Sequence, residues 1–314
     1  MAFINTALGP VDTSELGFTL SHEHLLISSA GIRTTYPEFI DREAGIAEGI
    51  RQFKEAKAQG VDTVIDLTTM DLGRDIRAIE QVSRESGVNF IVATGTWLDI
   101  PRSFATADPD DIAVLYMREI EEGIEGTGIK AAVIKVANDA GGVTPAGEII
   151  LRAAARAQRA TGVPIYTHTR AQERVGDQQV RIFEDEGVDL NRVCVGHSND
   201  STDLDYLAGL LKKGVWLGLD RYPSREPSWQ ERTGVVKQLL DAGYGNRLML
   251  GHDNSVTAAA APESRRTERS KINPDGYLFI TRNVLPLLTE LGATNDQLDA
   301  LMVGNPRRYF AGEG

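Results

Sequence analysis

The sequence predicts a single (β/α)8 barrel, and three observations lead there. Short apolar, β-branched runs recur eight times; each is followed by apolar residues at helical spacing; and no composition shift or Pro/Ser-rich linker breaks the series. A doubly wound open sheet reads similarly strand by strand and is the structural alternative. The 314 residues exceed the usual size of one domain, yet single α/β barrels routinely run past about 250. Residues 1–314 are therefore read as one domain, with a lead-in at 1–16 and a long loop at 254–276.

Taken in order, the expected strands are Gly17–His22, Val61–Thr68, Asn89–Thr94, Lys130–Ala137, Val163–His168, Arg192–His197, Val215–Asp220 and Arg247–Asp253. Asp62, Asp66 and Asp99 interrupt otherwise apolar runs, so some of them belong to loops or inward faces. After the fourth strand, Thr144-Pro145 reads as N-cap and first-turn proline of a helix, and Gly162 ends that helix ahead of Val163-Pro164. The eighth strand is followed by an irregular stretch, Asn254 to Gly276, with four consecutive alanines, Ala258 to Ala261. Loops of that length inside compact domains are usually lids or disordered segments.

Composition narrows the function. With 45 acidic and 33 basic residues the net charge is -12, which repels phosphate backbones and anionic lipid, so a small-molecule substrate is expected rather than nucleic acid or membrane. Cys194 is the only cysteine, so an intrachain disulfide, a thiolate zinc cluster and a CxxC redox site are excluded; between Val193 and Val195 it reads as a buried, inert thiol. No apolar run reaches 18 residues and the first 17 lack a basic and apolar leader pattern, so a soluble, cytoplasmic protein is expected.

In such a barrel the active site lies at the carboxyl ends of the strands. His22 and His24 end the first strand, two apart on an extended chain, so both rings reach one side while Glu23 points away. His168, His197 and Asp253 end the fifth, sixth and eighth strands. Neutral imidazoles with a carboxylate suit zinc or its first-row neighbours, whereas magnesium or calcium would favour oxygen throughout. His252, next to Asp253, faces the opposite way and is assigned to packing or support of the ligands. Lys135 ends the apolar fourth-strand run, where an unpaired ammonium would be desolvated. It could be a Schiff-base amine, or it could be carbamylated into a carboxylate that bridges two metal ions; the histidines around it favour the carbamate.

The order HxH, Lys, His, His, Asp on strands one, four, five, six and eight resembles the amidohydrolase superfamily. The strings Ser21-His22-Glu23-His24, Ile134-Lys135-Val136-Ala137, Thr167-His168-Thr169, Gly196-His197-Ser198, Gly218-Leu219-Asp220 and Asn305-Pro306 resemble its phosphotriesterase family, from about Asn5 to Phe310. The resemblance implies a homodimer with two divalent ions: zinc first, with cobalt, manganese or iron as alternatives. It places His22, His24 and Asp253 on the buried ion, His168 and His197 on the exposed ion, and carboxylated Lys135 with a hydroxide between them.

Substrate class divides the resemblance. Leu219-Asp220-Arg221-Tyr222 and the short segment after it look like the family's lactonase branch, whereas Trp97 and Asn273-Pro274-Asp275-Gly276 look like true phosphotriesterases. The expected activity is hydrolysis of lactones or activated aryl esters with promiscuous phosphotriester hydrolysis; the alternatives are a true phosphotriesterase and a mononuclear, deaminase-like enzyme. Trp97, Arg221 and Tyr222 are expected to contact substrate. Asp253 is expected to take a proton from the hydroxide and Asp200 to relay it outward, unless Asp200 merely caps the next helix. Arg221 is expected either to gate the leaving group or to pair with a carboxylate such as Asp200.

Overall fold

Side chains alternate across an extended chain, and the strands use that period to serve two cores. Along Thr63–Asp66, Val64 packs with the helices and Ile65 with the barrel axis; Phe90 and Val92 against Ile91 and Ala93 repeat the division along Asn89–Thr96. The computed structural model describes residues 2–258 and 271–313. An antiparallel hairpin, β1 (Phe3–Thr6) and β2 (Gly9–Asp12), precedes the barrel strands. These are β3 (Thr19–Ile27), β4 (Thr63–Asp66), β5 (Asn89–Thr96), β6 (Val133–Ala137), β7 (Ile165–His168), β8 (Val193–Val195), β9 (Trp216–Leu219) and β10 (Leu248–Leu250). Between and after them run α1 (Arg42–Ala58), α2 (Ile76–Ser86), α3 (Pro109–Glu121), α4 (Pro145–Thr161), α5 (Val175–Asp185), α6 (Leu204–Lys212), α7 (Trp229–Asp241) and α8 (Leu285–Glu290). Each barrel strand pairs in parallel with its neighbours in sequence, which is the (β/α)8 barrel and not the open sheet. Helix α4 begins and ends where the sequence predicts: Thr144 caps it through Gly147 N–H, Pro145 fills its first turn and Gly162 ends it at φ 75°.

The ring closes through a broken strand. Beyond Leu250 the chain passes Gly251, where a Cβ would lie 2.8 Å from His22 N, and turns at Asp253 with φ 53°. It resumes as β11 (Asn254–Ala258), in parallel with β3 from Asn254 opposite Glu23. Asp253 N–H bridges the gap by donating to the His22 carbonyl at 3.0 Å. The expectation of an irregular chain from Asn254 is therefore corrected. β3 continues to Ile27 beyond its last pairing with β4 at Glu23, and its exposed backbone groups need partners. Residues 259–270 of the expected loop lie outside the described residues.

Glu23, which points away from its flanking histidines as predicted, fastens this seam. Its Oε1 accepts from His252 N at 2.9 Å and bonds His252 Nδ1 at 2.6 Å, and its Oε2 accepts from Asn254 N at 3.1 Å. His252 Nε2 in turn accepts from Ile280 N–H at 3.1 Å. The lead-in is part of the packed body: Ile4 and Leu16 join Trp216 and Tyr309 in the axial core and close the amino-terminal end of the barrel. Among the described residues no helix is long and apolar enough to cross a membrane.

Gly95 in β5 adopts φ 112°, and a Cβ there would collide with the Lys135 carbonyl of the neighbouring strand. Replacing it with alanine combines backbone strain with a clash that neither strand can relieve. Gly95→Ala should cost more than about 3 kcal/mol, read as a lowered denaturant midpoint with unchanged slope.

Candidate metal centre and active site

Two of the expected ligands come from β3, where pairing with β4 shifts register between Leu20 and Glu23. The shift lets Leu20 face the helices while Ser21 and His22 both turn to the axis, and the strand period then brings His24 to the same side. His22 Nδ1 is 2.7 Å from Asp220 Oδ2 and His24 Nδ1 is 2.9 Å from Thr68 Oγ1. Their Nε2 atoms lie 3.6 and 3.2 Å from Asp253 Oδ1. Each ring thus has one nitrogen fixed by the protein and the other aimed, with a carboxylate oxygen, at a common point.

The second pair is built the same way. His197 lies beyond the end of β8, two residues past Val195, in a left-handed conformation with φ 57°. Expected inside the strand, it is turned inward because its N–H and Nδ1 both reach Asp220 Oδ1, at 2.8 and 2.9 Å. With the Nδ1 proton given to that carboxylate, His197 Nε2 is a lone-pair donor, and it sits 2.8 Å from His168 Nδ1. His168 Nε2 is buried without a hydrogen bond, 3.5 Å from Asp139 Oδ2. Whichever nitrogen of His168 carries its proton, one donor or acceptor stays unsatisfied, and a cation between the two rings removes that deficit. The donor set therefore fits a metal.

Asp220 itself is within reach of His22 and His197 as a third donor, but its oxygens already accept from His197 N, His197 Nδ1, His22 Nδ1 and the Tyr166 hydroxyl. Its lone pairs are thus engaged in holding the two rings. Protonation suits coordination throughout. Burial, with Lys135 nearby, lowers His22 to about 4; burial also lowers His168 and holds His197 well below its usual value, so these three rings are neutral at pH 7. Burial works against the ionised form of Asp220, but His197 and His22 outweigh it; for Asp253 the opposing groups are His22, His24, His197 and Arg221. Both carboxyls are held well below the usual range.

Lys135 faces the axis from β6, 1% exposed, with its Nζ 3.4 Å from the Thr167 carbonyl and 5.3 Å from the centre of the Tyr166 ring. It forms no ion pair with a described carboxylate. Burial pulls its pKa down to about 8, toward the neutral amine.

Beside these groups runs a chain of alternating charges. Arg221 bonds Asp253 Oδ2 through Nε at 3.2 Å and Asp200 Oδ2 through Nη1 at 2.6 Å, and the fully buried Arg232 bonds Asp200 Oδ1 at 2.6 Å. Asp200 is not the cap of α6, a place taken by Asp203. Nor does the geometry offer the expected proton relay, because a guanidinium that keeps its proton stands between Asp253 and Asp200. Asp200 anchors Arg221 instead. Arg232, which also bonds the carbonyls of Glu226 and Pro227, escaped the sequence reading because it lies in the first turn of a helix, far along the chain from its partner.

A cavity of 260 Å³ opens over this chain, lined among the described residues by 221–224, 252–254, Ile272 and Asn273. The Tyr222 side chain is packed in the core between barrel and helices, fully buried, while the residue also borders the cavity. Trp97 lies on the other side of the centre, its ring edge-on to His168 at 5.8 Å and its Nε1 3.4 Å from His168 Nδ1. Asp71, also missed in the sequence, holds that segment by accepting from Trp97 N and Asp99 N at 3.0 and 3.2 Å.

The chain has relatives among known proteins. A protein of Mycobacterium tuberculosis called phosphotriesterase homology protein is 42% identical over 100% of this chain and 99% of its own. An aryldialkylphosphatase of Saccharolobus solfataricus is 34% identical over 96% of this chain and 97% of its own. The solved structure of the phosphotriesterase from Mycobacterium tuberculosis superposes with a TM-score of 0.93 at 40% identity, covering 98% of each chain. The phosphotriesterase family model matches residues 2–310, and the chain belongs to that family.

Proposed function

We propose that this chain is a binuclear metal-dependent hydrolase of lactones and activated aryl esters. The observation that carries the proposal is the double arrangement of ring nitrogens, each histidine offering one nitrogen to a shared point while Asp220, Thr68 or Asp139 faces the other. His22, His24 and Asp253 would hold one ion, His168 and His197 the other, and Lys135 would join them as a carbamate. The unprotonated amine of Lys135 adds to carbon dioxide, forming an N–C bond and releasing one proton; burial without a carboxylate partner favours that amine. When bound, such a pair of cations polarises an ester or phosphoryl oxygen and makes water a nucleophile near neutral pH.

The protein's own part is orientation and proton handling. Asp253 keeps one oxygen toward the histidines and the other toward Arg221, so it can accept the nucleophile's proton where it stands. Arg221, held by Asp200, stays charged and presents a fixed guanidinium to an oxygen-bearing leaving group at the cavity wall. A 260 Å³ cavity that sets Arg221, Ser224, Asn254 and Asn273 beside Pro223 and Ile272 suits one compact, oxygen-bearing ring better than three ester arms. A second reading, phosphotriester hydrolysis, is favoured by the aryldialkylphosphatase relative and by the place of Trp97 beside His168.

Protein purified without chelator should contain about two divalent metals per chain by elemental analysis, and a fully loaded sample holding only one favours the mononuclear alternative. Lys135→Ala should then lose activity and recover part of it with short carboxylic acids. Asp253→Asn should retain metal but lose more than about tenfold in turnover, or about 1.4 kcal/mol in barrier; a smaller loss assigns the proton to another group. Across a substrate panel, lactone kcat/KM should exceed that of a diethyl aryl phosphotriester by at least about a hundredfold, or about 2.7 kcal/mol. Equal or faster triester turnover would establish the second reading.

A further inference from the structure

Tyr166 has no part in the reading above, yet space is reserved for it. It stands on β7 two residues before His168, fully exposed to the axial core with Cys194, Trp216 and Met249 and to no solvent. Its ring meets the His22 ring edge-on at 5.4 Å. Two glycines make the space: at Gly218 a Cβ would collide with the phenol oxygen, and at Gly196 it would lie 2.8 Å from the ring carbon Cε1. An apolar ring would fill the same volume without burying an oxygen, which is costly unless the oxygen is bonded. Here it is bonded: the hydroxyl donates to Asp220 Oδ2 at 2.7 Å and lies 3.4 Å from Ser21 Oγ.

We propose that Tyr166 is a positioning residue for both halves of the metal centre, acting through Asp220. His22 Nδ1–H and the Tyr166 O–H share Oδ2, while the backbone N–H and Nδ1–H of His197 share Oδ1. The four donors fix the carboxylate plane, and that plane sets where His22 and His197 aim their Nε2 atoms. Those rings serve different ions, so loss of the hydroxyl loosens both. Asp139 makes the contrast, since it faces His168 alone. The proposal rests on the binuclear reading.

The test titrates metal-free protein with zinc in competition with a chromophoric chelator. Tyr166→Phe keeps the ring and should weaken both binding steps by about tenfold, as removal of a partner behind a metal ligand does, whereas Asp139→Asn should weaken one. In an Asp220→Asn background, Tyr166→Phe should add nothing, because the hydroxyl acts only through that carboxylate. Cobalt-loaded Tyr166→Phe should also show an altered visible spectrum. If it fails to fold, Tyr166→Leu, which also removes the hydroxyl and leaves Asp220 untouched, carries the same expectation. Wild-type protein that takes up two ions beside a Tyr166→Phe variant within about twofold of it, or losses that add in the double variant, overturns the role of Tyr166 alone. Wild-type protein that takes up no zinc overturns the binuclear reading and this proposal together.

Discussion

One buried carboxylate holds the site together. Asp220 is 0% exposed, and a charge placed there costs several kcal/mol unless every lone pair is used. Four donors from three strand ends use them, and the bonds run both ways: the histidines keep Asp220 ionised, and Asp220 fixes their tautomers with the Nε2 lone pairs turned inward. His22 and His197 consequently stack at 5.0 Å, joining the two groups of candidate ligands into one body. The close approach also accounts for small residues nearby, since Gly196, Gly218 and Gly251 all pass where a Cβ would crowd Asp220 or its partners.

Closing the barrel and supplying a ligand are the same structural event. The chain breaks after β10 to let Asp253 enter the site and resumes as β11 to complete the ring against β3. His197 and Asp253 are two of the four non-glycine residues with positive φ among the described residues, a conformation that His and Asp tolerate better than most residues. Each is held in it by a bond to the site or seam: His197 N–H to Asp220, and Asp253 N–H to the carbonyl of His22. The Glu23–His252 pair behind Asp253 carries the remaining backbone donors of the break, so the strand interruption leaves no orphaned amide at His252 or Asn254.

Charge beyond the ligands is organised in series. From Asp253 through Arg221 and Asp200 to Arg232 the signs alternate, and each carboxylate between two guanidiniums or histidines is stabilised from both sides. The series links α7 and the carbonyls of Glu226 and Pro227 to the wall of the cavity. Arg221 is thereby a fixed surface for substrate, in contrast to a mobile surface arginine.

By itself the sequence determined the eight βα units and the residues at their carboxyl ends, because alternation and strand termination are local properties that repeat along the chain. The convergence of His22, His24, His168, His197 and Asp253 followed from that placement, and so did the inward direction of Lys135. Only the tertiary structure decided which atoms meet. The partners Thr68, Asp139, Asp220 and Arg232 are polar residues of ordinary types, far along the chain from the groups they hold, and no local pattern separates them from capping or solvated residues. It likewise decided that Arg221 blocks a path from Asp253 to Asp200 and that Tyr222 turns into the core, since the side chain after a strand ends is set by the turn and no longer by the period of two.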